Sequence, residues 1–76
     1  MKHENFIKKF FLNNLGITKK IDENKNLFSS GIIDSMSIII LISLIEKEYK
    51  TKINLKKFDI NQISSINKIK KYLRKI

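Results

Sequence analysis

Seventy-six residues with a formal net charge of +9, no cysteine and a single histidine rule out several classes at once. A chain this short buries only about 60% of the surface that its unfolded form exposes, which leaves no room for the deep pocket of most small-molecule enzymes. It has no thiol for a disulfide or a thiolate metal site, and His3 has no second histidine to help hold a zinc ion. A binding, carrier or regulatory module is therefore expected, as one domain over residues 1–76.

Residues 3–15 read as a first helix. Phe6, Ile7, Phe10, Phe11 and Asn14 mark one face, with Lys8, Lys9 and Asn13 outside it. The aromatic residues there are expected in the core. Gly16 is a natural stop, because glycine tolerates the left-handed backbone that ends many helices. The N-terminal stretch does not resemble a signal peptide: Lys8-Lys9 divides its apolar residues and no small-residue cleavage site follows.

Residues 16–34 read as a long loop without sustained periodicity. Ile17, Ile21, Leu27 and Phe28 are expected to pin it to the helices. Ser29-Ser30-Gly31 forms a turn, and Ile32-Ile33 anchors the chain again. A connection of this length is often functional.

Residues 35–49 carry the strongest helical pattern. At about 100° per residue, Ile38, Leu41, Ile42, Ile45 and Tyr49 fall in one sector and form the core face. Met36, Ile40, Ser43 and Lys47 lie opposite, flanked by Ile39 and Leu44. A helix apolar nearly all round is either buried on several sides or carries an exposed partner surface. Its longest apolar run is far shorter than the roughly 20 residues of a membrane span.

Residues 50–58 form a second connection, with Ile53, Leu55 and Phe58 as buried anchors. Asp59 caps a short helical turn over Ile60–Ile63, and Ser64 or Ser65 caps a last helix. In that helix Ile66, Ile69, Leu73 and Ile76 face inward, with Lys68, Lys70, Lys71, Arg74 and Lys75 largely opposite. No hairpin signal occurs. The fold class is all-α: an irregular four-helix bundle of three main helices and one short one, with a long first loop.

The centre of this pattern is Gly31-Ile32-Ile33-Asp34-Ser35-Met36. Asp34 and Ser35 are both good helix caps. A serine nucleophile needs a neighbouring base, and nothing in the sequence places His3 near Ser35; no paired carboxylates or Gly-rich phosphate loop offer another chemistry. A hydroxyl at a helix N-terminus after a long loop is nonetheless accessible to a second enzyme, and a phosphate there would lie in the favourable field of the helix end.

These residues resemble the attachment motif of the acyl carrier and peptidyl carrier protein family. The order of helices, the near-central serine, Leu27-Phe28, Phe58-Asp59 and Ser65-Ile66-Asn67-Lys68-Ile69 extend the resemblance over essentially the whole chain. It implies a carrier, in keeping with the lack of autonomous catalysis and of a metal site expected from the residues themselves. Ser35 would bear 4'-phosphopantetheine, transferred from coenzyme A by a phosphopantetheinyl transferase, with Asp34 assisting that enzyme. The arm would hold an acyl or aminoacyl group as a thioester. Met36, Ile39, Ile40 and Leu44 would dock partners, among them a loading ligase and downstream acyl-transfer enzymes. A cytoplasmic monomer without stable membrane insertion is expected.

The resemblance has one departure. Fatty-acid carriers are typically acidic along the helix after the serine, whereas this chain is basic and places Ser37, Ile40 and Ser43 there. Asp34-Ser35-Met36 is similar to D-alanyl carrier proteins, which favours a dedicated pathway over housekeeping fatty-acid synthesis. The rival from another class is a small basic nucleic-acid-binding protein. Its case is weakened because the first two turns of the central helix offer no Arg, Lys, Asn or Gln to read bases, and the lysines are scattered among abundant Ile and Asn. A third reading makes the last helix a basic membrane-surface element, but its apolar stripe is explained equally well by core packing.

Overall fold

The computed structural model describes residues 2–76; Met1 lies outside them. Helix α1 spans Lys2–Leu15, α2 spans Ser35–Tyr49 and α3 spans Ile66–Lys75, with a 3₁₀ turn at Ile60–Ile63 before α3. Among the described residues there is no strand. This is the all-α arrangement expected, including the position of the short turn. No helix of the described residues is long and apolar enough to cross a membrane.

Each helix forms where spacing and caps agree. In α1, Ile7, Phe10 and Phe11 are buried, the i, i+3, i+4 pattern of one face. Gly16 takes φ +65° and its N–H bonds to the Leu12 carbonyl at 3.2 Å, which ends the helix. Asn14 is exposed and Leu15 half-buried, so the inward face closes on the leucine and not on the asparagine. An amide has no reason to be buried beside an available apolar neighbour.

In α2 the buried residues are Leu41, Ile42 and Ile45. The helix ends at Lys50, which adopts the left-handed conformation, φ 51° and ψ 49°. The Lys50 and Thr51 N–H groups both bond to the Glu46 carbonyl, the 5→1 and 6→1 bonds that close helix C-termini. In α3, Ser65 is the cap, its Oγ accepting from the Lys68 N–H at 3.2 Å. Ser64 instead donates its hydroxyl to the Asn61 carbonyl at 2.9 Å. Asp59 caps the 3₁₀ turn through the Asn61 N–H.

One core cluster joins all elements: Ile7, Phe10 and Phe11 of α1, Leu27 and Ile33 of the first connection, Leu41 and Ile45 of α2, Ile63, and Ile69 and Leu73 of α3. Burying a side chain of this size stabilises by about 1.5–3 kcal/mol. α1 and α2 run antiparallel, since the start of one meets the end of the other. His3 Nδ1 and the Tyr49 hydroxyl are 2.7 Å apart, and the Phe6 ring meets Tyr49 edge-on at 5.5 Å.

The long connection is bound, not loose. The Leu27 N–H donates to the Ser64 carbonyl at 2.7 Å and the Asn67 N–H to the Glu23 carbonyl at 3.0 Å. Lys70 Nζ lies 2.8 Å from Glu23 Oε2. Ile17, Ile21, Phe28 and Ile32 pack against the core cluster, as the sequence led us to expect.

Two expected anchors are not buried. Leu55 is 57% exposed and Ile76 44% exposed. Leu55 rides a tight turn in which Asn54 accepts the Lys56 N–H on its side chain and the Lys57 N–H on its carbonyl; this lifts it off the core. Ile53 and Phe58 on either side hold the segment instead, packed against the core. The Ile53 N–H is tied to Glu46 Oε2 at 2.8 Å, and the Phe58 ring meets Tyr72 at 5.4 Å. Ile76 lies beyond the last turn of α3, where no neighbour covers it.

Candidate functional site

The site is assembled by the segment that delivers the chain to α2. Asn26 Oδ1 accepts from the N–H groups of Phe28 and Ser29, both at 2.9 Å, and the Ser30 N–H returns to the Asn26 carbonyl at 3.2 Å. This is one capped helical turn. Gly31 at φ +77° terminates it. The sequence places a turn at Ser29-Ser30-Gly31, and the structure has it there; its start at the Asn26 cap was not expected. Its signal was an asparagine cap followed five residues later by glycine, short enough to pass as irregular loop.

Leu27 and Ile33 then fix the approach. Both are buried, and the Ile33 N–H donates to the Leu27 carbonyl at 3.0 Å. The turn is thereby closed on itself, one residue before Asp34. A core residue so near the start of α2 sets where the helix begins.

Asp34 is the N-cap. Its backbone is extended, φ −109° and ψ −175°, and its Oδ1 accepts from the Ser37 N–H at 2.9 Å. Of the two candidate caps in the sequence, the aspartate takes the role. Ser35 is the first residue of α2 and is exposed, so its hydroxyl is not used as the cap. The Ser37 backbone N–H, and then the Ser37 hydroxyl, hold the Asp34 carboxyl below its ordinary range. The carboxylate is therefore ionised at neutral pH.

His3 has no part in this site. It meets Tyr49 at the far end of α2, about 21 Å from Ser35 at 1.5 Å per residue. Base activation of Ser35 by this histidine is excluded by that separation. Among the described residues no group of His, Asp and Glu side chains is placed to hold a metal ion.

Met36 and Ile39 are 67% and 52% exposed. With Ser43 and Lys47, also exposed, they form an outward stripe at helical spacing. Ile40 and Leu44 are half-buried and pack against the core cluster. The four apolar residues singled out in α2 therefore divide into two that face outward and two on the shoulder of the stripe. Periodicity alone did not show this, because it depends on which neighbours cover each flank.

The residues fit a phosphoester-linked arm. An exposed hydroxyl at the first position of a helix faces the end where phosphate is favoured by the free first-turn N–H groups and the helix dipole. When bound, 4'-phosphopantetheine supplies a thiol, which the polypeptide itself lacks.

No curated protein and no solved structure matches the chain. A model of the family described as "Phosphopantetheine attachment site" matches residues 5–73. That match spans nearly the whole chain and all three helices around the Asp34–Ser35 site. The chain belongs to the phosphopantetheine attachment-site family, as a non-catalytic carrier protein that holds 4'-phosphopantetheine covalently.

Proposed function

We propose that Ser35 is the attachment residue and that the chain is an acyl or aminoacyl carrier serving a dedicated pathway. One observation carries the choice of residue: Asp34 performs the capping, so Ser35 stands exposed at the helix start with its side chain free of that duty. A phosphopantetheinyl transferase moves the arm from coenzyme A to the Ser35 oxygen. Asp34, ionised beside the acceptor, helps that enzyme position its metal and substrate. The bound thiol then carries cargo as a thioester, loaded by a ligase and collected by downstream acyl-transfer enzymes.

Partners dock on the outward stripe of α2, through Met36 and Ile39 with Ile40 and Leu44 at the shoulder. The outward stripe has no carboxylate. Glu46 is turned to the Ile53 N–H, which leaves Glu48 exposed near the helix end. A largely uncharged, apolar docking face on a basic chain suits enzymes other than those that recognise acidic fatty-acid carriers, and D-alanyl carriage is the aminoacyl case the motif most resembles. The chain acts as a monomer in the cytoplasm.

Mass spectrometry of the holo form with candidate loading enzymes tests this assignment. A D-alanine-activating ligase or another aminoacyl or acyl ligase should form a thioester. A malonyl transferase of fatty-acid synthesis should load the protein at a far lower rate. Efficient malonyl loading with no ligase activity would return the chain to fatty-acid synthesis.

A further inference from the structure

A groove of about 620 Å³ lies between α1, the first connection and α3, away from the α2 stripe. Its apolar lining comes from Ile7, Phe11, Leu12, Ile17, Ile21 and Ile66. Leu12 is 51% exposed, an apolar side chain that the core does not use. The rim carries Lys8, Lys19 and Lys20, all exposed.

Charge on this rim is one-sided. The two carboxylates in the lining, Glu4 and Glu23, both lie against Lys70, at 3.9 Å and 2.8 Å. Among the described residues, Lys70 is the cation that forms these ion pairs, and no carboxylate lies within pairing distance of Lys8, Lys19 or Lys20. Lys19 and Lys20 sit between Ile17 and Ile21, so one short segment supplies both apolar surface and positive charge.

We propose that this groove binds a free medium-chain aliphatic carboxylate. The chain lies on Phe11, Leu12, Ile17 and Ile21, and the carboxylate sits among Lys8, Lys19 and Lys20. The volume falls in the range of small-ligand sites, about 300–1,000 Å³, but as an open groove on the surface and not the deep pocket that the chain's length excludes. A stable protein partner covers about 800 Å² per side, a larger and flatter surface than this cleft. An apolar floor with unopposed cations at the edge matches a single chain with one anionic end. The inference is independent of Ser35.

Dodecanoate, titrated below its micelle concentration into the isotope-labelled full chain, is the probe. Amide shifts should saturate and cluster at Lys8–Leu12 and Ile17–Ile21. Dodecyltrimethylammonium, with the same chain and opposite charge, should bind at least about tenfold more weakly. Leu12→Glu should weaken dodecanoate binding by about tenfold or more. The paired exposed changes Lys19→Glu and Lys20→Glu should weaken it by about fivefold or more, and they decide the matter if Leu12→Glu does not fold. Ser35→Ala should bind equally. Absence of saturable shifts, equal binding of the cationic amphiphile, or shifts confined to α2 would each overturn the proposal.

Discussion

Asp34 Oδ1 accepts the Ser37 backbone N–H at 2.9 Å, and this one bond separates two roles that the sequence leaves merged in a pair of neighbouring residues. The aspartate holds the helix end. The serine beside it is left exposed and available to another protein. Chemistry at this site comes from outside the chain.

Titration of Asp34 should be visible in that bond. Its carboxyl is held below the ordinary range by the Ser37 N–H and hydroxyl. A depressed folded-state pKa contributes stability that is present above the unfolded value of about 3.9 and is lost as pH falls through the folded value. The Ser37 amide shift should therefore move with a midpoint below about 3.9. Asp34→Asn keeps a cap acceptor and should abolish this titration. A midpoint at or above 3.9 would show that the bond does not form in solution.

At the other end of α2, alkali should weaken the fold. Burial, followed by the nearby Glu48 charge, raises the pKa of Tyr49, and burial with Glu46 raises that of Tyr72. Their contribution is full below the unfolded tyrosine value of about 10 and is lost as pH rises through the folded values. Tyrosinate absorbance should appear above about pH 10, later for these two residues than in a denatured control. Thermal stability should decline over the same range.

Leu27 is the main apolar anchor of the long connection, with 0% exposure. Leu27→Ala should cost about 2–5 kcal/mol in urea unfolding. Its loss also frees the turn that delivers Asp34 and Ser35, so phosphopantetheine transfer should slow even under conditions where the variant remains folded. Unchanged transfer kinetics in a destabilised variant would show that the turn has no share in presenting the serine.

Lys50 holds a left-handed backbone at the end of α2, where a side chain costs about 1–2 kcal/mol. Lys50→Gly removes that strain but adds freedom to the unfolded chain. A net gain of roughly 0.5–1 kcal/mol is expected, measured by denaturant midpoint. A loss would mean that the side chain contributes more than its backbone strain.

Ile39 and Ile40 separate docking from packing. Ile39 is mostly exposed, so Ile39→Glu should keep helix content and melting temperature while lowering the kcat/KM of the loading enzyme by about tenfold. Ile40 packs against the core, so Ile40→Glu should lose stability as well, by about 1–3 kcal/mol. Equal melting temperatures for the two variants would remove the distinction between stripe and shoulder.

Much of this was legible because it is local. Apolar spacing set α1, α2 and α3, and the capping aspartate marked a turn as short as Ile60–Ile63. What was not legible depends on contacts between distant segments. Asp34 and Ser35 are both competent caps, and only the backbone decides between them. Leu55 has the composition of an anchor, but the Asn54 turn lifts it outward. By angle Ile40 sits opposite the core face and Ile39 at its flank, yet partial cover by the core makes Ile40 a shoulder beside Leu44 while Ile39 faces outward. The turn at Ser29-Ser30-Gly31 was legible, but its Asn26 cap was not, because a single capped turn leaves no periodicity.

The central claim is that Ser35 receives the arm, and site-resolved mass spectrometry tests it directly. After incubation with coenzyme A and a broad-specificity phosphopantetheinyl transferase, the native protein should gain one phosphopantetheine, localised to Ser35 in the fragment spectrum. Ser35→Ala should gain none, while Ser37→Ala should be modified. A native protein that remains unmodified by several active transferases, or a Ser35→Ala variant that still gains the group, would contradict the assignment.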